Sequence, residues 1–217
     1  MLVLFDFDGT LVDSRRRVID AMTRAYGDHG VPCPGQTAVL STVGLQPEDM
    51  VAVLSPTLER ARREAIAKDY RAHSLALHHS DPEPERPFPQ AGETLAALKA
   101  EGHRLGVVTG KSAAGLDRSL DLLQWRALFD DLQPADNAPG KPDPTLILRA
   151  VAALNAHPAE TVMVGDTTYD MIMAGRAGVS AIGVGWGYHR PALLMQEGAD
   201  LVVESFAALA AHLCPEP

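Results

Sequence analysis

The chain has 217 residues, is 46% hydrophobic and carries a formal net charge of −9, enough apolar material for one good core and a second, smaller unit. That charge argues against a nucleic-acid or anionic-membrane surface, so any phosphate affinity must be local. Cys33 and Cys214 stand far apart in no metal-type spacing, the N-terminus lacks a secretion signal, and no apolar run approaches the roughly 20 residues that span a bilayer; together these predict a soluble protein of a reducing cytoplasm.

The apolar run Leu2-Val3-Leu4-Phe5 predicts a strand, and Asp6-Phe7-Asp8-Gly9-Thr10-Leu11 follows it. Strand alternation points Asp6 and Asp8 to one side, so two carboxylates converge on a small volume. Like charges so close repel unless one is protonated or a cation joins them, and a hard divalent ion such as Mg²⁺ suits oxygen ligands of this kind. Gly9 allows a sharp exit from the strand, and the Thr10 hydroxyl is expected to fix the turn.

From about residue 15 to 84 helices dominate and no strand is predicted. Asp13 or Ser14 caps a helix to about Tyr26, and a longer helix runs from Pro56 to about His78 with Glu59/Arg63 and Glu64/Lys68 at i,i+4 spacing. Residues 81–89 are too proline-rich for a helix or inner strand and read as a semi-rigid return linker. Beyond them, strands at 104–109, 161–165, 179–184 and 200–203 alternate with helical patterns, which predicts a parallel sheet covered on both faces. Ligands of such sheets bind beyond the carboxyl ends of the strands. Thr109-Gly110-Lys111-Ser112 and Gly165-Asp166-Thr167-Thr168-Tyr169-Asp170 both gather at that edge, with a helix beginning near Ser112.

Four motifs thus stand in order: Asp6-Phe7-Asp8-Gly9-Thr10, Thr109-Gly110-Lys111, Lys141-Pro142-Asp143-Pro144 and Gly165-Asp166-Thr167-Thr168-Tyr169-Asp170. In them the chain resembles a haloacid dehalogenase superfamily phosphatase with a small helical cap, nearest the phosphoglycolate-phosphatase-like branch. The resemblance implies an α/β fold, a Rossmann-like parallel sheet sandwiched by helices, with a discontinuous core at 1–14 and 85–217 and an inserted α-helical cap at 15–84. It makes Asp6 the nucleophile that forms an aspartyl-phosphate and Asp8 the acid and base. Asp6, the backbone carbonyl of Asp8 and Asp166 would bind Mg²⁺, with Asp170 acting through water or steadying the site. Thr109 and the N–H of Gly110 would hold phosphate oxygens, and Lys141 would bridge Asp6 and the phosphate. Lys111 either touches phosphate or is solvated.

Gly110 departs from the many relatives that carry Asn there, so a side-chain contact is absent while the backbone donor remains. At the cap, one of Arg15, Arg16 and Arg17 can lie over the site, Arg15 being the expected one, and the Gly44-Leu45 loop is expected to dip toward it. His73, His78 and His79 read as surface residues, and Gly185-Trp186-Gly187-Tyr188-His189 either walls the pocket or packs on a helix. The implied activity is Mg²⁺-dependent hydrolysis of a small phosphorylated metabolite, phosphoglycolate being the family-weighted expectation. A phosphosugar mutase of the same superfamily and a phospho-receiver signalling module are the alternatives, and the oligomeric state is left open.

Overall fold

The structure is a computed structural model and describes residues 1–80, 86–136 and 138–214, with the side chains of 78–80 left aside. In chain order its elements are β1 (Leu2–Phe5), β2 (Val12–Asp13), α1 (Arg15–Asp28), α2 (Gln36–Leu40), α3 (Pro47–Leu54), α4 (Arg60–Ser80), β3 (Arg86–Pro87), α5 (Ala91–Ala100), β4 (Arg104–Val108) and α6 (Ala113–Leu123). After these come β5 (Asp131–Gln133), α7 (Thr145–Ala153), β6 (Thr161–Gly165), α8 (Thr168–Ala177), β7 (Ser180–Val184), α9 (Pro191–Gln196), β8 (Leu201–Val203) and α10 (Phe206–Leu213). Among the described residues no helix is long and apolar enough to cross a membrane.

Six strands form one parallel sheet in the order β5-β4-β1-β6-β7-β8. β1 lies inside it and is buried on both faces, which its unbroken apolar run allows. Leu2 and Leu4 enter the core layer shared with α7, α8 and α9, while Val3 and Phe5 enter the opposite layer with α5, α6 and α10. Because every strand runs the same way, the residues after β1, β4 and β6 emerge at one edge. The strand β5 was not anticipated: it has three half-buried residues, Asp-Leu-Gln, at the end of the sheet, too few to display a period.

Between β1 and β4 the chain leaves for α1 to α4. The exit strand β2 pairs antiparallel with the return strand β3, Val12 opposite Pro87 and Asp13 opposite Arg86, so exit and return form one short ribbon. Pro87 is tolerated because the ribbon has only two strands. The strand at 86–87 therefore corrects the linker reading for its last part, while residues 81–85 lie outside the described residues. In α1, Val18, Ala21, Met22, Ala25 and Tyr26 are buried at helical spacing, and all but Ala21 join Val39, Met50, Val51, Ile66 and Ala67 in a third apolar cluster. The helix predicted from Pro56 to about His78 is α4, which starts later, at Arg60, where Arg60 pairs with Glu64 at 2.7 Å; α3 ends before it, at Leu54. Glu59 stands just before α4, its carbonyl accepting the N–H groups of Arg62 and Arg63 at 3.0 Å. At the start of α1 the side-chain acceptor is Asp13, which takes the N–H of Arg15 at 3.0 Å, because the Ser14 hydroxyl is bonded to the Tyr188 hydroxyl at 2.8 Å.

Candidate active site

Asp6 is the first residue past β1, and Asp166 and Asp170 follow β6, so the parallel register of these neighbouring strands brings three acids together. Their carboxylate oxygens lie within 4.8 Å of one another, and all three residues are buried. Lys141 Nζ reaches into this group from the segment before α7, 2.7 Å from Asp6 Oδ1 and 2.6 Å from Asp170 Oδ1. Asp170 is further held by the N-terminal turn of α8: its Oδ2 accepts the N–H of Thr167 at 3.0 Å and the Thr167 hydroxyl at 2.7 Å. Asp166 Oδ1 accepts the Thr10 hydroxyl at 2.9 Å, and Oδ2 accepts the backbone N–H of Tyr188 at 2.8 Å. The Thr10 hydroxyl thus orients Asp166 across the site and is not spent on its own turn, which is closed by backbone bonds from Gly9 to Val12 and from Leu11 and Val12 to Phe7.

Burial governs the charge of this cluster. Desolvation raises the Asp6 carboxyl to about 7 although Lys141 opposes it, with Asp170 pushing in the same direction as burial. Asp166 is raised well above the carboxylate range, by burial first and then by Asp6 and Asp170. Burial works against the Lys141 ammonium, but Asp170 and Asp6 together outweigh it and hold the ammonium protonated more firmly than an ordinary lysine. One cation among three acids leaves a deficit of positive charge. The residues therefore fit a metal ion: the donors are all carboxylate oxygens, the kind a hard divalent cation takes, and such an ion would relieve the repulsion that raises Asp6 and Asp166.

The acid that crowds Asp6 is not the carboxylate of Asp8, as strand alternation suggested. Asp8 lies past the end of β1, and its oxygens accept from Lys111 Nζ at 2.9 and 3.3 Å. The lysine also lies over the Phe7 ring, 5.2 Å from its centroid. Thr109 is buried directly after β4, and its hydroxyl accepts the N–H of Lys111 at 3.2 Å. Ser112 caps α6 by accepting the N–H of Gly115 at 3.3 Å.

A cavity of about 720 Å³ opens over this edge, lined by Asp6, Asp8, Thr109, Gly110 and Lys111 below and by residues of α1, α3, α4 and the 43–47 loop above. Gly44 and Leu45 do reach the site: a Cβ on Gly110 would stand 2.9 Å from the Gly44 carbonyl oxygen, so the loop rests where a side chain at 110 would be. The loop is fastened beside that contact. His189 Nδ1 accepts the N–H of Thr168 at 3.1 Å, leaving Nε2 to donate to the Ser41 carbonyl at 3.0 Å, and the Tyr169 hydroxyl donates to the same carbonyl at 3.2 Å. Gln46 Nε2 donates to the carbonyl of Ala138 at 2.8 Å.

Arg15 is not among the residues that line the cavity. Its guanidinium lies over the Tyr188 ring, 5.6 Å from the centroid, and pairs with Asp13. Arg17, two positions on and turned by the helix to another side, lines the cavity together with Tyr70. Sequence reasoning missed Tyr70, since a lone tyrosine in an amphipathic helix carries no signal of what lies opposite. Of the two readings weighed for the 185–189 loop the packing one holds: Trp186 packs on Phe88 and Phe206 and donates to the Thr10 carbonyl at 3.0 Å, Tyr188 supplies the N–H to Asp166, and the loop is not among the residues that line the cavity. His73 is paired with Asp28 on the surface, and the side chains of His78 and His79 lie outside the described residues.

With this geometry in hand, the sequence profile of the family described as haloacid dehalogenase-like hydrolase matches residues 3–184. The chain belongs to that family. The haloacid dehalogenase-like assignment covers the acidic cluster, the cavity and the inserted helices alike. Among curated relatives, "Probable phosphatase IndB" of Dickeya dadantii is 36% identical over 97% of this chain and 93% of its own length. "Phosphoglycolate phosphatase, plasmid" of Cupriavidus necator is 33% identical over 98% and 93%. Among solved structures, a hydrolase from Pseudomonas syringae superposes with a TM-score of 0.86 at 26% identity, covering 98% of this chain and 97% of that one.

Proposed function

We propose that this haloacid dehalogenase-like hydrolase is a cytoplasmic, Mg²⁺-dependent phosphomonoesterase acting on a small phosphorylated metabolite through an aspartyl-phosphate on Asp6. The observation that carries the reading is the buried Lys141 set between Asp6 and Asp170, with Asp166 alongside, directly beneath a cavity that Asp6 and Asp8 line. The relatives named probable phosphatase and phosphoglycolate phosphatase support the same chemistry.

In this reading Lys141 opposes the burial that raises Asp6 and so favours its ionised form, and the Asp6 carboxylate attacks phosphorus in line with the leaving oxygen. Asp8 delivers its proton to the departing alcohol and afterwards takes one from the water that hydrolyses the aspartyl-phosphate. Thr109 and the Gly110 N–H, at the start of the α6 approach, hold the non-bridging oxygens, and Lys111 sits within reach of both Asp8 and the phosphoryl group. Asp6, Asp166, the Asp8 carbonyl and, at one remove, Asp170 would hold Mg²⁺, which when bound supplies the positive charge that lets a carboxylate meet a phosphate dianion. Residues 15–84 act as the cap over a core of 1–14 and 85–217, with the β2–β3 ribbon as the hinge. Arg17 takes the role first assigned to Arg15, and the Gly44-Leu45 loop closes over Gly110.

The test is phosphate release from p-nitrophenyl phosphate and from a metabolite panel, with Mg²⁺ and with excess chelator. Activity that needs Mg²⁺ and is restored by it after chelation is the expected result. Full turnover in chelator would overturn the metal assignment, and no turnover of any ester would overturn the phosphatase reading itself.

A further inference from the structure

We infer, resting on the phosphatase reading above, that the preferred ester carries a bulky, uncharged leaving alcohol with an apolar face, of nucleoside size and not of glycolate size. Volume is the first ground. Phosphoglycolate has about nine non-hydrogen atoms, and even at the roughly 30 Å³ that a water molecule takes in the liquid it would fill about 270 Å³. The cavity measures about 720 Å³. A nucleoside monophosphate, with about 21 such atoms, would take up to about 630 Å³ by the same generous measure.

The character of the wall is the second ground. Above the phosphate end, α1, α3 and α4 present Val18, Met50 and Leu75, and the loop presents Val43 and Leu45. Such a surface gains free energy by covering a flat apolar group and gains nothing from a short, fully polar one. Charge is the third ground. The glycolate carboxylate lies two bonds from the ester oxygen and would be held beside Asp8, while Lys111 is already paired with Asp8 and Arg71 with Glu48 through both guanidinium nitrogens. Tyr70 and Arg17 lie on facing helices near Asp8. Tyr70 thus offers a hydroxyl to an oxygen-bearing group of the alcohol.

The experiment compares kcat/KM for phosphate release by the wild-type chain with Mg²⁺ on phosphoglycolate, ribose 5-phosphate and uridine 5′-monophosphate. The last two share one primary ester and differ by the base. Uridine 5′-monophosphate should exceed each of the others by at least tenfold, and Ser74→Trp, which narrows the cavity from α4, should shrink that ratio by about the same factor. Equal or higher kcat/KM for phosphoglycolate or ribose 5-phosphate overturns the inference while leaving the phosphatase reading in place. Calorimetric titration of Asp6→Asn with the same three esters separates the two ideas: tighter binding of uridine 5′-monophosphate supports the size assignment even if the wild-type chain releases no phosphate. Tighter binding of phosphoglycolate overturns it.

Discussion

Floor and wall of the cavity differ in how their residues are held. On the floor Asp6, Asp166, Asp170 and Lys141 are each 1% exposed or less, and each is tied by charge-assisted or short hydrogen bonds to another member or to Thr10, Thr167 or Tyr188. On the wall, Arg17, Tyr70 and Leu75 come from two helices of a separate apolar cluster and face the floor across empty volume. The floor is a closed network that holds its charged groups in fixed relative positions, which in-line displacement requires. The wall is a surface of side chains that lines the cavity opposite it. On the proposed function, chemistry and selectivity would be carried by different packing units of one chain.

Breaking the floor at its most reactive point should have the largest effect. Asp6→Asn keeps the shape and removes the attacking charge, so turnover of p-nitrophenyl phosphate should fall by about three orders of magnitude or more, with circular dichroism unchanged. Wild-type-like turnover would remove Asp6 from the nucleophile's role. Lys141→Met should come next, because it leaves Asp6 and Asp170 facing each other in a buried site. A loss of roughly 3–5 kcal/mol in the urea unfolding free energy is expected, as for other buried pairs deprived of one partner. A loss under 1 kcal/mol would show that the lysine is not what holds these acids together.

Acidity sharpens the comparison further. Asp6 is raised to about 7 in the folded chain, so between about pH 4 and pH 7 the folded state binds more protons than the unfolded one. Stability from this group is therefore full below the ordinary carboxylate value and is lost as pH rises through about 7, and Asp166 acts in the same direction. Metal-free protein should accordingly melt at a lower temperature at pH 7.5 than at pH 5, and Mg²⁺ should narrow the difference. An opposite slope, unchanged by Mg²⁺, would mean that the acids are not crowded. The smallest effect is expected where wall meets floor. In Gly110→Ala the new methyl meets the Gly44 carbonyl at 2.9 Å, and backbone must shift. A loss of roughly tenfold in kcat/KM, mostly in KM, with little change in melting temperature, is expected from such a displacement.

The acids of the floor were readable in advance because Asp6, Asp166 and Asp170 follow β1 and β6, and strand ends in a parallel sheet must meet at one edge. Lys141, in the segment before α7, was placed there only by the family resemblance, and the structure brings it to the acids. The partner of Asp8 was not readable, since Lys111 meets it across 103 positions of chain and only the turn after β4 decides where the amine goes. Thr10 and Tyr188 escaped for the same reason: a hydroxyl or a backbone N–H has no sequence signature until the fold supplies its acceptor.

On the wall, helical periodicity announced α1, yet which arginine of three consecutive ones turns inward depends on how α1 rolls against α4. Burial of Val18, Met22, Ala25 and Tyr26 sets that roll and brings Arg17 to the cavity, with Arg15 turned onto Tyr188. Local pattern determined the longer strands and helices, though not β2, β3 or β5, and which acids lie at the sheet edge, because hydrophobic period and strand direction are properties of neighbouring residues. Only the tertiary structure decided the pairings, the seat of the Gly44 carbonyl on Gly110 and the size and lining of the cavity. Those depend on how separate elements pack, and no short stretch of sequence contains that information.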